Sequence, residues 1–235
     1  MSAIVHIRQI GQRVGGVALS GMDLDVEPGE SLALVGARRS GRTTLLQTLA
    51  ALRPPASGRV WIAGFDTVQS PFDARAHAMY VGAALPGPTG LRVGEYLEFV
   101  RHARRGRERR SADATIAHAL ERAALSADAN IESLAPAARS RLALSSALVV
   151  MPRLLLLDDP FAGFDDETRT RFAAWIAEAR ATGTAVIAAV NEHTDSEYLG
   201  AAALWMERGG IISGIAATSA VHASVSLATT TAGVA

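Results

Sequence analysis

The sequence predicts an α/β fold in which helices pack on a mainly parallel β-sheet, with an antiparallel β portion at the N-terminal end and an inserted α-helical subdomain. Three short, mostly apolar runs predict buried strands: SLALV (31–35), LLLLD (154–158) and TAVIAAV (184–190). Stretches with helical spacing follow the first two runs, at 43–52 and 166–183. Such alternation of buried strands with helices is typical of a parallel sheet covered on both faces.

The antiparallel portion is predicted from alternating patterns near the N-terminal end. Residues 4–10 alternate apolar and polar side chains, and residues 17–29 alternate again before a Pro-Gly turn. Residues 59–64 predict a further strand, and residues 204–214 predict a closing hairpin. We therefore expect a second β element beside the parallel sheet.

The middle of the chain changes from strand-like to helical patterns, and we expect an all-helical insertion within residues 70–150. The stretches with helical spacing are 93–105, 112–125 and 138–150. The predicted division of the chain is a core at 1–82 and 150–215, a helical subdomain at 83–149 and a flexible tail at 216–235. The tail is assigned from its small and polar residues.

The composition excludes several classes of function. The 235 residues have a formal net charge of zero and include no cysteine. A disulfide scaffold and thiolate chemistry are therefore excluded, and there is no general attraction to nucleic acid. No apolar run reaches the roughly 18 residues that suggest a membrane span, and the first residues lack the apolar core of a secretory signal. We expect a cytoplasmic protein.

The segment GARRSGRTT, residues 36–44, is similar to a phosphate-binding loop. The pattern of such loops is G-x-x-x-x-G-K-[ST], and Arg42 stands here in place of the lysine. Because the loop lies between a strand and a helix, its backbone N–H groups and the helix N-terminus can bind phosphate oxygens. The alternative is a tight glycine turn before a helix. The predicted phosphate-binding residues are Gly36, Ala37, Arg38, Arg39, Ser40, Gly41, Arg42, Thr43 and Thr44.

Two carboxylates at the end of the second buried strand complete the predicted site. Asp158 follows LLLL, and we expect it to hold Mg²⁺ together with the hydroxyl of Thr43. Asp159 stands where a general base or a water-positioning carboxylate is expected. The alternative for both residues is a pair of solvated carboxylates at a strand end.

Over roughly residues 4–215 the chain resembles the ATP-binding subunit of an ATP-binding cassette (ABC) transporter. The resemblance rests on GARRSGRTTLL, TGLRVGEYLEFV, SLAPAARSRLALSSALVVMPRLLLLDDPFAGFDDETR and RGGIISG, in that order. It implies a P-loop ATPase cassette that binds ATP and Mg²⁺ and pairs with a second cassette in a homo- or heterodimer. It also implies a separate transmembrane permease partner, which would hold the cassette at the inner face of the cell membrane. Residues 89–100 most resemble exporters whose membrane part is a separate chain.

The chain departs from the family pattern at most functional positions. The matching residues are Gly36, Gly41, Thr43, Thr44, Asp158 and Asp165. The departures are Arg42 for lysine, Ala83 for the metal-linking glutamine, LAPAA (134–138) for the LSGGQ signature, Asp159 for the catalytic glutamate, Asn191 for the switch histidine (Val190 if the alignment slips by one) and Val14 for the adenine-stacking aromatic. Asp159 and Asn191 would be the residual catalytic pair. Aspartate is one methylene shorter than glutamate, and a misplacement near 1 Å can cost about a hundredfold in rate. Asparagine cannot accept and return a proton as histidine does.

The departures cluster on hydrolysis and on contacts across a cassette dimer. The chain contains no lysine, and a general avoidance of lysine would explain Arg42 but not the other departures. We therefore expect a transporter subunit, an exporter, that binds Mg-ATP with slow or absent turnover. One alternative is a non-hydrolysing pseudo-ATPase with a structural or regulatory role. Another is a soluble ABC ATPase of translation or DNA repair, although no tandem cassette or long coiled coil is visible.

The basic run 101–110 is expected to be a solvated connector, and its alternatives are lipid or nucleic-acid contacts. We expect no nucleic-acid partner.

Overall fold

The computed structural model describes residues 3–14, 17–82, 90–103, 116–207 and 210–215. The strands in this part of the chain are β1 (Val5–Val14), β2 (Val17–Val26), β3 (Ser31–Val35), β4 (Ser57–Ile62), β5 (Phe65–Asp66), β6 (Ala78–Val81), β7 (Leu154–Asp158), β8 (Ala185–Val190), β9 (Ala202–Glu207) and β10 (Gly210–Ile215). The helices are α1 (Arg42–Leu49), α2 (Pro71–His77), α3 (Val93–Ala103), α4 (Ile116–Ala123), α5 (Pro136–Val150), α6 (Asp166–Ala181) and α7 (His193–Tyr198). None of these helices is both long and apolar enough to cross a bilayer.

The described strands form two sheets, which confirms the predicted α/β fold with its antiparallel portion. One sheet has the order β2-β1-β4-β5, and its pairings are antiparallel. The larger sheet has the order β10-β9-β3-β8-β7-β6. Its strands from β9 to β6 are parallel, and β10 pairs antiparallel with β9 as the predicted closing hairpin.

The larger sheet separates two apolar cores, and this explains its mostly apolar strands. In β7, Leu155 and Leu157 belong to the core that contains α3 to α6, whereas Leu154 and Leu156 belong to the core that contains α1 and the antiparallel sheet. Successive side chains point to opposite faces of a strand, so a strand buried on both faces must be apolar at every position. All four of these leucines are fully buried.

Some elements differ from the sequence-based expectations. The expectation that residues 70–150 are all helical is wrong, because Ala78–Val81 forms the edge strand β6 beside β7. Helix α2 lies in the region expected to be helical but outside the three predicted helical stretches, and the short helix α7 was not predicted. Helix α1 ends at Leu49 and not at residue 52, since Ala51 takes a left-handed φ of 53° before the Pro54 turn.

The sheet order brings the predicted site together. Strands β3, β8 and β7 are neighbours, with Val35 paired to Val190 and Asp158 paired to Ala189. The segments that follow these three strands therefore leave the same edge of the sheet. Several expectations lie outside the described residues: those on Ala83, on the tail at 216–235 and on the side chain of Val14, and most of the basic run at 101–110.

Candidate functional site

A cleft of about 1020 Å³ opens at this edge of the sheet. The loop between β3 and α1 forms one wall, and the ends of β7 and β8 form the other. The lining residues are Gly36, Ala37, Arg38, Arg39, Ser40, Gly41, Arg42, Thr43, Thr44, Asp158, Asp159, Ala189 and Asn191. The structure thus brings all the predicted phosphate-binding, metal and catalytic residues into one cavity.

The backbone of the loop takes conformations that restrict which residues can occupy it. A Cβ atom at Gly36 would lie 2.3 Å from the carbonyl oxygen of Met206, so only glycine fits where the loop leaves β3. Gly41 precedes α1 with a φ of 105°. Arg39 has a φ of 68°, a left-handed conformation that costs energy for a residue with a side chain. The first N–H groups of α1 have no partner within the helix, and they belong to residues that line the cleft, where they are possible donors to phosphate.

Arg42 is buried, with 8% of its surface exposed, and its guanidinium bridges the loop and the end of β8. It donates to Ser40 Oγ at 3.1 Å, to Asn191 Oδ1 at 2.9 Å and to the carbonyl oxygen of Val190. A weaker contact reaches the carbonyl oxygen of Ala37 at 3.4 Å. These acceptors are neutral. The guanidinium expected at the phosphates is thus engaged inside the protein.

The charge of Arg42 is balanced only at longer range. Burial lowers the pKa of Arg42, while the carboxylates of Asp158 and Asp159 oppose this shift. Arginine still keeps its charge, because its ordinary pKa lies far above neutral pH. The cleft therefore contains one buried cation whose direct partners carry no negative charge.

Asp158 is held from two sides. Its Oδ1 accepts a hydrogen bond from the Thr43 hydroxyl at 3.1 Å, and its Oδ2 accepts one from the Tyr80 hydroxyl at 3.0 Å. Tyr80 was not predicted. The sequence carries a signal for this contact, because a tyrosine near the end of a strand next to β7 can reach the end of β7. The strand that contains Tyr80, β6, was not predicted.

The oxygens of Thr43 and Asp158 suit Mg²⁺ chemically. Both are hard oxygen donors of the class that Mg²⁺ prefers, and they lie 3.1 Å apart. Among the described residues no group of three or more His, Cys, Asp or Glu side chains could hold a metal ion. A magnesium ion here would therefore take its remaining ligands from a bound phosphate and from water, as this ion usually does.

Asp159 and Asn191 are in direct contact. The Asn191 side-chain amide donates to Asp159 Oδ2 at 2.9 Å, while its own carbonyl oxygen accepts from Arg42. Asp159 has a φ of 55°, and its backbone N–H donates to the carbonyl oxygen of Ala189 at 2.9 Å. Burial raises the pKa of Asp159, the Asn191 hydrogen bond lowers it, and the nearby Asp158 carboxylate raises it again. His193, the histidine nearby in sequence, lies in α7 and hydrogen-bonds Ser196 at 2.9 Å.

The segment LAPAA does not line this cleft. Helix α5 begins at Pro136, and Ala135 before it gives no side-chain cap to the helix. Arg139 folds back onto the preceding turn, where it donates to the carbonyl oxygens of Leu134 at 3.0 Å and Glu132 at 2.6 Å. Asp165, another residue that matches the family pattern, caps α6 by accepting from the Thr168 N–H at 2.8 Å.

Comparison with known proteins gives one family. The family model described as ABC transporter matches residues 19–162. The sulfate/thiosulfate import ATP-binding protein CysA of Xylella fastidiosa is 32% identical over 200 residues, which is 83% of this chain and 57% of that protein. This chain thus spans little more than half the length of that relative. The cytochrome c biogenesis ATP-binding export protein CcmA 2 of Cupriavidus metallidurans is 31% identical over 198 residues, covering 83% of this chain and 92% of the relative.

Solved structures show the same architecture. One described as the ATP-binding subunit of an ABC transporter superposes with a TM-score of 0.82 at 17% identity, covering 90% of this chain and 89% of the other. At this identity the likeness concerns the fold alone.

Proposed function

This chain belongs to the ABC transporter family, and from that premise we propose that it is the nucleotide-binding subunit of a transporter and binds Mg-ATP with slow or absent turnover. One observation carries the proposal: a single cleft is lined by the whole loop 36–44 and by Asp158, Asp159 and Asn191. The loop supplies main-chain donors and a helix N-terminus for the phosphates. Thr43 and Asp158 supply oxygens for the metal, which would neutralise phosphate charge when bound.

Impaired turnover is supported by the second half of the cleft. Asp159 stands where a base or water-positioning group is needed, but its Oδ2 is engaged by Asn191. Asn191 is held in turn by Arg42 and cannot exchange a proton with a phosphate oxygen. Water activation would therefore depend on a short carboxylate that is already hydrogen-bonded.

We propose two kinds of partner. A second cassette would face this one, as a homodimer or a heterodimer, and a separate transmembrane permease would hold the pair at the inner face of the membrane. Residues 89–100 resemble exporters, which supports export as the direction. The two relatives are named for import and for export, respectively. Transport measured in membrane vesicles of known orientation would decide the direction.

One observation favours the alternative of a non-hydrolysing pseudo-ATPase with a structural or regulatory role. The Arg42 guanidinium folds onto Ser40 and Ala37 of its own loop and is anchored to Val190 at the end of β8. A phosphate must compete with these contacts. This alternative requires that the chain does not hydrolyse ATP, whether or not it binds the nucleotide.

A phosphate-release assay on the purified chain tests the proposed turnover. We expect release far below that of an intact cassette measured alongside, and any slow release that remains should be lost in Asp158→Ala. Asp128→Ala is the matched control, because this carboxylate is 89% exposed and lies away from the cleft. Release at the rate of the intact cassette, lost in Asp158→Ala but kept in Asp128→Ala, would contradict impaired turnover.

A further inference from the structure

Tyr80 is absent from the predicted site, yet it contacts the proposed metal carboxylate directly. Its hydroxyl lies 3.0 Å from Asp158 Oδ2, on the side of the carboxylate opposite the Thr43 contact. Tyr80 belongs to β6 and pairs in register with Leu156 of β7. The sheet itself therefore places the tyrosine beside the strand that ends in Asp158.

The phenol of Tyr80 is the donor in this hydrogen bond. An ionised carboxylate has no hydrogen to donate, so the tyrosine hydroxyl donates to Asp158 Oδ2. Burial and the Asp158 carboxylate raise the pKa of Tyr80 to about 12.

Gly82 leaves room for the tyrosine ring in this position. A Cβ atom at Gly82 would lie 2.9 Å from Tyr80 Cε1 and 3.1 Å from its hydroxyl oxygen. A methyl group there would push the ring aside and change the hydroxyl position. The hydrogen bond to Asp158 thus depends on a glycine that follows β6.

We propose that Tyr80 is a positioning residue that fixes the Asp158 carboxylate with Oδ1 toward Thr43 and the Mg²⁺ of a bound nucleotide. This inference rests on the proposed function. With Oδ2 held, the carboxylate cannot rotate without losing a hydrogen bond, and one oxygen is presented beside the Thr43 hydroxyl. Without the phenol only the Thr43 hydrogen bond holds the carboxylate, so its orientation is less fixed and the binding of Mg²⁺ is weaker. The main-chain contacts of the loop to phosphate do not change.

The test measures binding of a fluorescent ATP analogue to the full chain as Mg²⁺ is titrated. In Tyr80→Phe we expect the Mg²⁺ concentration at half effect to rise about tenfold, as for other residues that orient a metal ligand. Analogue affinity in EDTA should stay within about twofold, a result that a general structural defect would not give. Gly82→Ala, which keeps the hydroxyl but displaces the ring, should raise the midpoint as well.

Tyr96→Phe is the matched control. It removes the hydroxyl of another buried tyrosine, one that belongs to the core around α3 to α6 and does not line the cleft. Its Mg²⁺ midpoint should equal that of the wild type. The proposal is overturned if Tyr80→Phe also leaves the midpoint within about twofold, or if it weakens analogue binding equally with and without Mg²⁺.

A second measurement needs no nucleotide. In a double-mutant cycle of Tyr80→Phe and Asp158→Asn, we expect a coupling of at least about threefold in the unfolding equilibrium constant. Failure of the wild-type chain to bind the analogue would contradict the proposed function, and the cycle alone would then judge the Tyr80–Asp158 pair. A coupling supports the pair, and its absence overturns it.

Discussion

Arg42 keeps the positive charge of the lysine that it replaces, but its planar fork allows contacts that an ammonium cannot make. The guanidinium donates at once to Ser40, to Val190 and to Asn191, which belong to the loop and to the end of β8. A lysine has one compact nitrogen and cannot span both sides in this way. The substitution therefore changes what the loop binds within the protein as well as what it offers to phosphate.

Arg42→Lys should bind Mg-ATP about tenfold more tightly, because fewer internal hydrogen bonds must be given up when the phosphates enter. The same change should lower the free energy of unfolding of the nucleotide-free protein by about 1–2 kcal/mol, since the contacts to β8 are lost. Calorimetric titration and urea denaturation measure the two effects. Arg92→Lys, at an exposed position directly before α3, serves as the control. Unchanged or weaker binding in Arg42→Lys would show that the bridge does not compete with nucleotide.

Asp159→Asn should stabilise the folded protein at neutral pH. Burial raises the pKa of Asp159, and a carboxyl group whose pKa is raised by folding destabilises the fold as pH rises above its ordinary value of 3.8. The asparagine carbonyl can still accept the Asn191 hydrogen bond. Urea denaturation at several pH values should show a gain that is largest near pH 7 and shrinks as the pH falls toward 3.8. A gain that does not depend on pH, or a loss at pH 7, would exclude this explanation.

At the same scale, the sequence predicts which residues meet but not how they bond. The loop and the Asp158 strand indicated the cleft because motif spacing and parallel topology place them together. The Arg42 bridge and the Tyr80 contact depend on side-chain directions and on the order of β6, β7 and β8 in the sheet. No local pattern in the sequence encodes that order.

At the scale of elements, α4 is tied to α6 by a charged contact. Arg122 donates two hydrogen bonds of 2.7 Å to the carboxylate of Glu178, and its guanidinium lies 5.4 Å from the centre of the Trp175 ring. The backbone carbonyl of Arg122 also accepts from Arg171 of α6 at 3.3 Å. These contacts connect the predicted helical subdomain at 83–149 with the predicted core at 1–82 and 150–215, a division that we propose for the chain.

Arg122→Met should lower the free energy of unfolding by about 1 kcal/mol, because it removes the bidentate pair and the cation–π contact but keeps most of the apolar stem. Much of the pair is exposed to solvent, so the loss should shrink in high salt. Urea denaturation at low and high salt measures both. Arg101→Met is the control, since that arginine pairs with Glu98 within α3 and does not link elements. If Arg122→Met and Arg101→Met lower the free energy of unfolding equally, the contact between α4 and α6 adds no stability of its own.

The elements that were predicted well are those whose pattern is set by burial. Strands β3, β7 and β8 are apolar because both faces are covered, and a continuous apolar run shows this directly. Strand β6 is short and begins directly after α2, so no turn residue separates the two. Helix α7 (HTDSEY) is polar and has no apolar periodicity that would indicate a helix.

At the scale of the whole molecule, the resemblance to ABC cassettes implies a dimer in which each bound ATP also receives donors from the signature segment of the facing chain. Here Ala135 has no hydroxyl, Pro136 has no N–H, and Arg139 is engaged with its own turn. If Arg42 and LAPAA are the departures that the resemblance implies, a homodimer would have two sites that each combine an altered loop with an altered signature. Pairing with an intact cassette would leave one altered partner at each site.

The purified chain should therefore stay monomeric when Mg-ATP is added, as measured by analytical ultracentrifugation. Replacing the two signature residues together, Ala135→Ser with Pro136→Gly, restores a hydroxyl and an N–H and should raise the dimer fraction in Mg-ATP. Dimerisation of the unchanged chain on addition of Mg-ATP would contradict this prediction and favour a homodimer.

The main-chain groups of the loop 36–44, with Thr43 and Asp158 opposite, should bind Mg-ATP although Arg42 stands at the position of the lysine. Isothermal titration calorimetry with millimolar Mg-ATP measures this binding. We predict a saturable heat that disappears in Gly36→Ala, because a Cβ atom there would lie 2.3 Å from the Met206 carbonyl oxygen and displace the loop. No saturable heat from the wild-type chain, or the same heat from Gly36→Ala, would contradict nucleotide binding by this loop.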